Sequence, residues 1–109
     1  MEQRSKTEIY NYRAWVTNLA VNRLQLLMKE LLEASGYTVV RFVEHYFYPQ
    51  GCTCVWLLAE SHLAMHTYPE EGRVYLELSG CVEQCNRAFT ERLHQCPELK
   101  VLSEISSKS

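Results

Sequence analysis

The stretch SHLAMHTYPEEGRVYLELS, residues 61 to 79, decides the fold. Its second half alternates: Val74, Leu76 and Leu78 point one way and Arg73, Tyr75 and Glu77 the other, which is the period of a strand with one buried face. Residues 61 to 67 read as a matching arm, and Tyr68 to Gly72, with Pro69 and Gly72 as its turn formers, joins the two. An antiparallel hairpin centred near residue 70 sets Ser61 opposite Ser79 and Cys81 opposite Ala59. Paired strands lie ~4.8 Å apart. The Cys81 thiol is therefore expected beside the Glu60–Ser61 peptide bond. His66 is not brought to Ser61 by the same reasoning. Along a straight strand the two are ~16 Å apart, and their positions differ in parity, so they face opposite sides.

Outward from the hairpin, Cys52 to Leu58 is an apolar strand and Tyr37 to Tyr48 another, stopped by Pro49-Gln50-Gly51. Val21 to Ala34 places Val21, Leu24, Leu27, Met28, Leu31 and Leu32 on one helical face, and Gly36 stands where a helix C-cap glycine belongs. Ile9 to Val16 is an aromatic-rich strand. Val82 to Cys96 is a second helix with Val82, Cys85, Phe89, Leu93 and Cys96 on one stripe, and Val101 to Ile105 a short last strand. Residues 1 to 8 are polar and expected to fray. The order β-α-β-β-β-α-β predicts an α+β fold: a two-layer sandwich with two helices on one face of an antiparallel sheet. At 109 residues and 47% hydrophobic, the chain is expected to form one domain, residues 1–109.

A net charge of −2 argues against nucleic-acid or membrane-surface partners, which favour basic patches. No apolar run approaches the ~20 residues that span a bilayer, and MEQRSKTEIY lacks the apolar block of a signal peptide. A cytoplasmic location is expected. The five cysteines then read as free thiols, metal ligands or catalytic groups rather than a disulfide framework, with Cys52, Cys54, Cys85 and Cys96 as small buried hydrophobes. His62 and His66 have the i,i+4 spacing of helical metal ligands. Pro69 and the strand alternation that follows exclude that helix, so no metal is expected.

Glu60 to Glu70, ESHLAMHTYPE, together with His45, Phe47, Pro49 and Gly51 upstream and Cys81 downstream, resembles the bacterial and archaeal S-adenosylmethionine decarboxylase proenzymes. The resemblance is close over residues 45 to 81. It implies a self-cleaving, pyruvoyl-dependent carboxy-lyase of polyamine and spermidine biosynthesis. Ser61 would attack the Glu60 carbonyl, and cleavage would leave a chain of residues 1–60 and a second, residues 61–109, whose first residue is a pyruvoyl group made from Ser61. That group would hold substrate as a Schiff base with no external cofactor. The resemblance gives His66 the processing step, Cys81 the role of proton donor, Phe47 the stacking of adenine and Glu70 the ribose hydroxyls. It also implies a homodimer with its sites at the interface. His45 matches without a role that the residues supply. Thr53 stands at a position where the family carries a hydroxyl. Ser79-Gly80-Cys81-Val82 departs from the family's Thr-Cys-Gly, and Arg73 replaces a common aromatic.

Two other readings fit the same chain. One is a pyruvoyl-dependent decarboxylase of a free amino acid, arginine or ornithine. The other is an uncleaved homologue that regulates a true decarboxylase by pairing with it.

Overall fold

The computed structural model describes residues 7–109; of the stretch expected to fray, residues 1–6 lie outside it. The elements run β1 (Tyr10–Thr17), α1 (Val21–Ala34), β2 (Val39–Tyr46), β3 (Cys52–Leu58), β4 (Ser61–Tyr68), β5 (Arg73–Gly80), α2 (Glu83–Gln95) and β6 (Val101–Lys108). The strands form one six-stranded sheet in the order β2-β3-β4-β5-β1-β6, with every neighbouring pair antiparallel. The α+β sandwich is thus as expected from the sequence. The element order gains a strand, because residues 61 to 68 form a full strand rather than only a hairpin arm.

α1 occupies the expected residues and buries Leu24, Leu27, Met28, Leu31 and Leu32. Its end is a Schellman turn: the Gly36 N–H donates to Glu33 O and the Tyr37 N–H to Leu32 O, with Gly36 at φ 102°. This turn takes Tyr37 out of the predicted strand, which starts only at Val39, and buries its ring. α2 differs from its expected stripe. Val82 is exposed, whereas Asn86 is buried and donates its amide to Tyr10 O at 3.2 Å. A polar residue joins the helix–sheet seam because a strand carbonyl needs a donor there.

Both helices cover the face of the sheet that carries Tyr12, Ala14, Val16, Trp56, Leu63, Met65, Val74, Leu76 and Leu78. Each fully buried large apolar side chain contributes ~1.5–3 kcal/mol over leaving it in water. The other face carries Trp15, Tyr68 and Tyr75, with the Arg73 guanidinium 3.7 Å over the Trp15 ring, and no helix covers it.

The register of the central hairpin is one residue off the expected one. Tyr68 pairs with Arg73 across Pro69–Glu71 and Gly72, so Ser61 faces Gly80 and not Ser79. The sequence centre of the turn does not distinguish a loop of four residues from one of five. A second tight hairpin joins β3 to β4: Leu58 pairs with Ser61 across only Ala59 and Glu60.

Candidate active site

Glu60 occupies that two-residue turn at φ 65°, the one positive φ among the described non-glycine residues. Tight hairpin turns require such conformations and fill them with glycine or asparagine. A glutamate there stores ~1–3 kcal/mol of strain, on the residue whose carbonyl the resemblance expects to be attacked. Ser61, the next residue, opens β4 on the helix-covered face and is 9% exposed. Its Oγ has no hydrogen-bond partner. Gly80 lies opposite, and a Cβ built on it would come within 2.3 Å of Ser61 Oγ. The absence of a side chain at Gly80 therefore gives the hydroxyl its space.

Cys81 follows β5 and lies at the same end of the sheet. Its thiol is 3.9 Å from the Glu60 carbonyl oxygen and 3.4 Å from Glu60 Oε1. Its pKa is raised, first by the hydrogen bond to the Glu60 carboxylate and then by burial. The thiol form, able to give up a proton, therefore persists at neutral pH.

His66 is elsewhere. β4 pairs with β3 and β5 without register shifts, so His66 lies further along it on the uncovered face, away from Ser61. Thr53 Oγ1 is 2.9 Å from His66 Nδ1, and the Tyr75 ring stacks on the imidazole with centroids 6.1 Å apart. When Nδ1–H donates to Thr53, Nε2 is left as the base. Thr53 pairs with His66 across the β3–β4 hairpin. Its function as the histidine's partner was in reach of the sequence only through the Ala59–Glu60 turn, which fixes that register.

Around His66 a cavity of 420 Å³ is lined by Phe47, Gln50, Thr53, Tyr68 and Glu70 among others. Phe47 is half exposed, at 52%, and meets the His45 ring edge-to-face at 4.6 Å. Its N–H donates to Gly51 O, which fixes the loop between β2 and β3. Gln50 reaches the Glu70 carboxylate at 3.4 Å. The predicted residues thus fall into two groups. Glu60, Ser61 and Cys81 are together at one end of the sheet; Phe47, His66 and Glu70 are together at the other.

One further group of potential ligand atoms, from Glu44, Cys52 and Cys54, lies within 4.8 Å of one another, and Cys52 also lines the cavity around His66. Cys52 and Cys54 are buried, and burial pushes the Cys54 thiol up to about 12. All five cysteines are free. No helix among the described residues is long and apolar enough to cross a membrane.

An unpaired Ser61 hydroxyl thus directly follows Glu60 and its positive φ. Known proteins resemble the chain in sequence and shape. Residues 8–96 match the family model of S-adenosylmethionine decarboxylase. The S-adenosylmethionine decarboxylase proenzyme of Brevibacillus brevis is 44% identical over 66 residues, 58% of this chain and 50% of that protein. That of Syntrophomonas wolfei is 39% identical over 79 residues, 72% of this chain and 62% of that protein. The chain thus spans between half and two thirds of the length of these curated relatives. The crystal structure of the adenosylmethionine decarboxylase from Aquifex aeolicus VF5 superposes with a TM-score of 0.71 over 96% of this chain and 91% of that one, at 21% identity, a likeness of fold. On the family match the conclusion is direct: the chain belongs to the S-adenosylmethionine decarboxylase family.

Proposed function

We propose that the protein is a self-cleaving proenzyme that becomes a pyruvoyl-dependent decarboxylase of S-adenosylmethionine, acting in the cytoplasm in polyamine synthesis. The observation that carries the reading is the Glu60–Ser61 junction. There a strained glutamate, a buried unpaired serine hydroxyl and a protonated thiol meet. Ser61 Oγ attacks the Glu60 carbonyl carbon and turns the amide into an ester. Loss of the Cα proton of residue 61 then expels the Glu60 carboxylate and separates the chains. The pyruvoyl group that results supplies an electron sink for the pair released as CO₂ leaves.

The remaining residues act around it. Cys81 returns a proton to the substrate carbon as general acid, a step such groups accelerate ~10²–10⁴-fold. Phe47 offers an exposed aromatic face for a base, and Glu70 a carboxylate for sugar hydroxyls, in one cavity. That cavity is at the far end of the sheet from Ser61, and His66 is on the uncovered face. The reading is therefore of a homodimer with its sites at the interface, each combining Ser61 and Cys81 of one protomer with Phe47, His66 and Glu70 of its partner. No nucleic acid, membrane, metal or added cofactor takes part in this reading.

CO₂ release from S-adenosylmethionine, arginine and ornithine, each on the processed protein, tests it. The nucleoside substrate is expected to be turned over fastest, and Ser61→Ala to release nothing. Faster release from arginine or ornithine would replace the substrate assignment with the amino-acid one. A chain that never cleaves would favour the regulatory homologue.

A further inference from the structure

Among the described residues two buried side-chain polar atoms have no hydrogen-bond partner, Ser61 Oγ and Tyr37 Oη. Both residues border Gly80. The Cβ built on Gly80 that would strike Ser61 Oγ would also lie 3.8 Å from Tyr37 Cε1. The Schellman turn after α1 puts Tyr37 there, and only 7% of the residue is exposed. Burial, with the Cys85 and Cys81 thiols as nearby ionisable groups, raises the phenol pKa, so it stays a neutral O–H donor at any physiological pH.

Folds seldom leave a buried hydroxyl unpaired, and the exceptions concentrate at working sites. Ser61 has its reason as the nucleophile. Tyr37 has no acceptor in the uncleaved chain, but cleavage creates one. The Cβ–Oγ bond of residue 61 breaks, and the oxygen leaves with the Glu60 carboxylate. Water then adds at the α-carbon, the nitrogen leaves as ammonia, and a ketone oxygen remains. We infer that the Tyr37 hydroxyl is the hydrogen-bond donor to the ketone oxygen that processing creates at residue 61. This deepens the proposed function and rests on it. A donor held at that oxygen polarises the carbonyl, which lowers its stretching frequency and speeds attack by amines.

The test uses the processed full-length protein and its Tyr37→Phe variant, with serine labelled at the carbon that becomes the ketone. Isotope-edited infrared spectra and the rate of condensation with phenylhydrazine are read on both. The variant is expected to show a higher carbonyl frequency and condensation slower by ~3–10-fold, the worth of one hydrogen bond. Equal frequency and equal rate overturn the inference. If Tyr37→Phe does not cleave, incorporation of 3-fluorotyrosine, a stronger donor, is expected to lower the carbonyl frequency of the cleaved protein, and an unchanged frequency overturns the inference. A parent protein with no ketone signal fails the proposed function first, and this inference with it.

Discussion

Ser61 and His66 share strand β4 but face opposite sides of the sheet, Ser61 toward the helices and His66 toward the uncovered face. A strand paired without register shifts does not bring them together, so in the proposed homodimer the histidine that serves the cleavage of Ser61 comes from the second copy. Mixed dimers test this. Ser61→Ala and His66→Ala chains are each expected to remain whole alone. Co-expressed, the His66→Ala chain should be cut, because the Ser61→Ala partner supplies the histidine. A His66→Ala chain that stays whole in the mixture, or cuts alone at the parent rate, contradicts the composite site.

Gly80 is expected to tolerate no side chain. A Cβ 2.3 Å from Ser61 Oγ forces the hydroxyl or the strand to move. Misplacing a reacting group by about 1 Å costs about a hundredfold in rate. Gly80→Ala should therefore fold, as judged by its circular dichroism, and cleave about a hundredfold more slowly. Cleavage at the parent rate would show that the space beside Ser61 is not needed.

The Cys81 thiol should become more reactive when Glu60 loses its charge. The glutamate raises the thiol pKa by hydrogen bond and by charge, so removing it lowers the pKa and increases the thiolate fraction at a fixed pH below that pKa. In a Ser61→Ala background, which keeps the chain whole, Glu60→Gln is expected to speed alkylation of Cys81 several-fold, measured by peptide mapping. Cys81→Ala should cleave normally while decarboxylation drops by ~10²–10⁴-fold.

Glu104 provides a pH-dependent contribution to stability. Hydrogen bonds from the Tyr12 hydroxyl first, and then from His94, hold its carboxyl below the usual range. A depressed folded-state pKa means stability that is present above the unfolded value, ~4.3, and lost as pH falls through the folded one. Glu104→Gln should cost about 1 kcal/mol at neutral pH, allowing for its partial exposure. The difference in melting temperature between variant and parent should shrink below about pH 4. A difference that persists in acid would assign the effect to packing.

Local rules made much of this molecule legible. The 3.6-residue spacing from Val21 to Leu32 and the glycine after it give α1 its limits, and the alternation of Val74, Leu76 and Leu78 gives β5 its buried face. The conflict between Ser61 and His66 was also readable, since parity along a strand needs no tertiary information. Long-range packing supplied the rest. The hairpin register depends on which pair closes the Pro69 turn, and that pair is Tyr68 with Arg73. Asn86 is buried because a carbonyl on β1 needs its amide, which no helical period reveals. Tyr37 and Ser61 both border Gly80, brought there by a turn after one helix and by the pairing of two strands, a coincidence of three segments. The final strand continues to Lys108, past the expected Ile105, because β1 offers it a pairing edge along its length.

The central claim is that this chain cuts itself between Glu60 and Ser61. Intact mass spectrometry of the purified protein tests it most directly. Two species are expected, one ending at Glu60 and one blocked at its first residue by a pyruvoyl group, and a single whole chain for Ser61→Ala. A single unmodified species of 12.8 kDa from the parent sequence would contradict it.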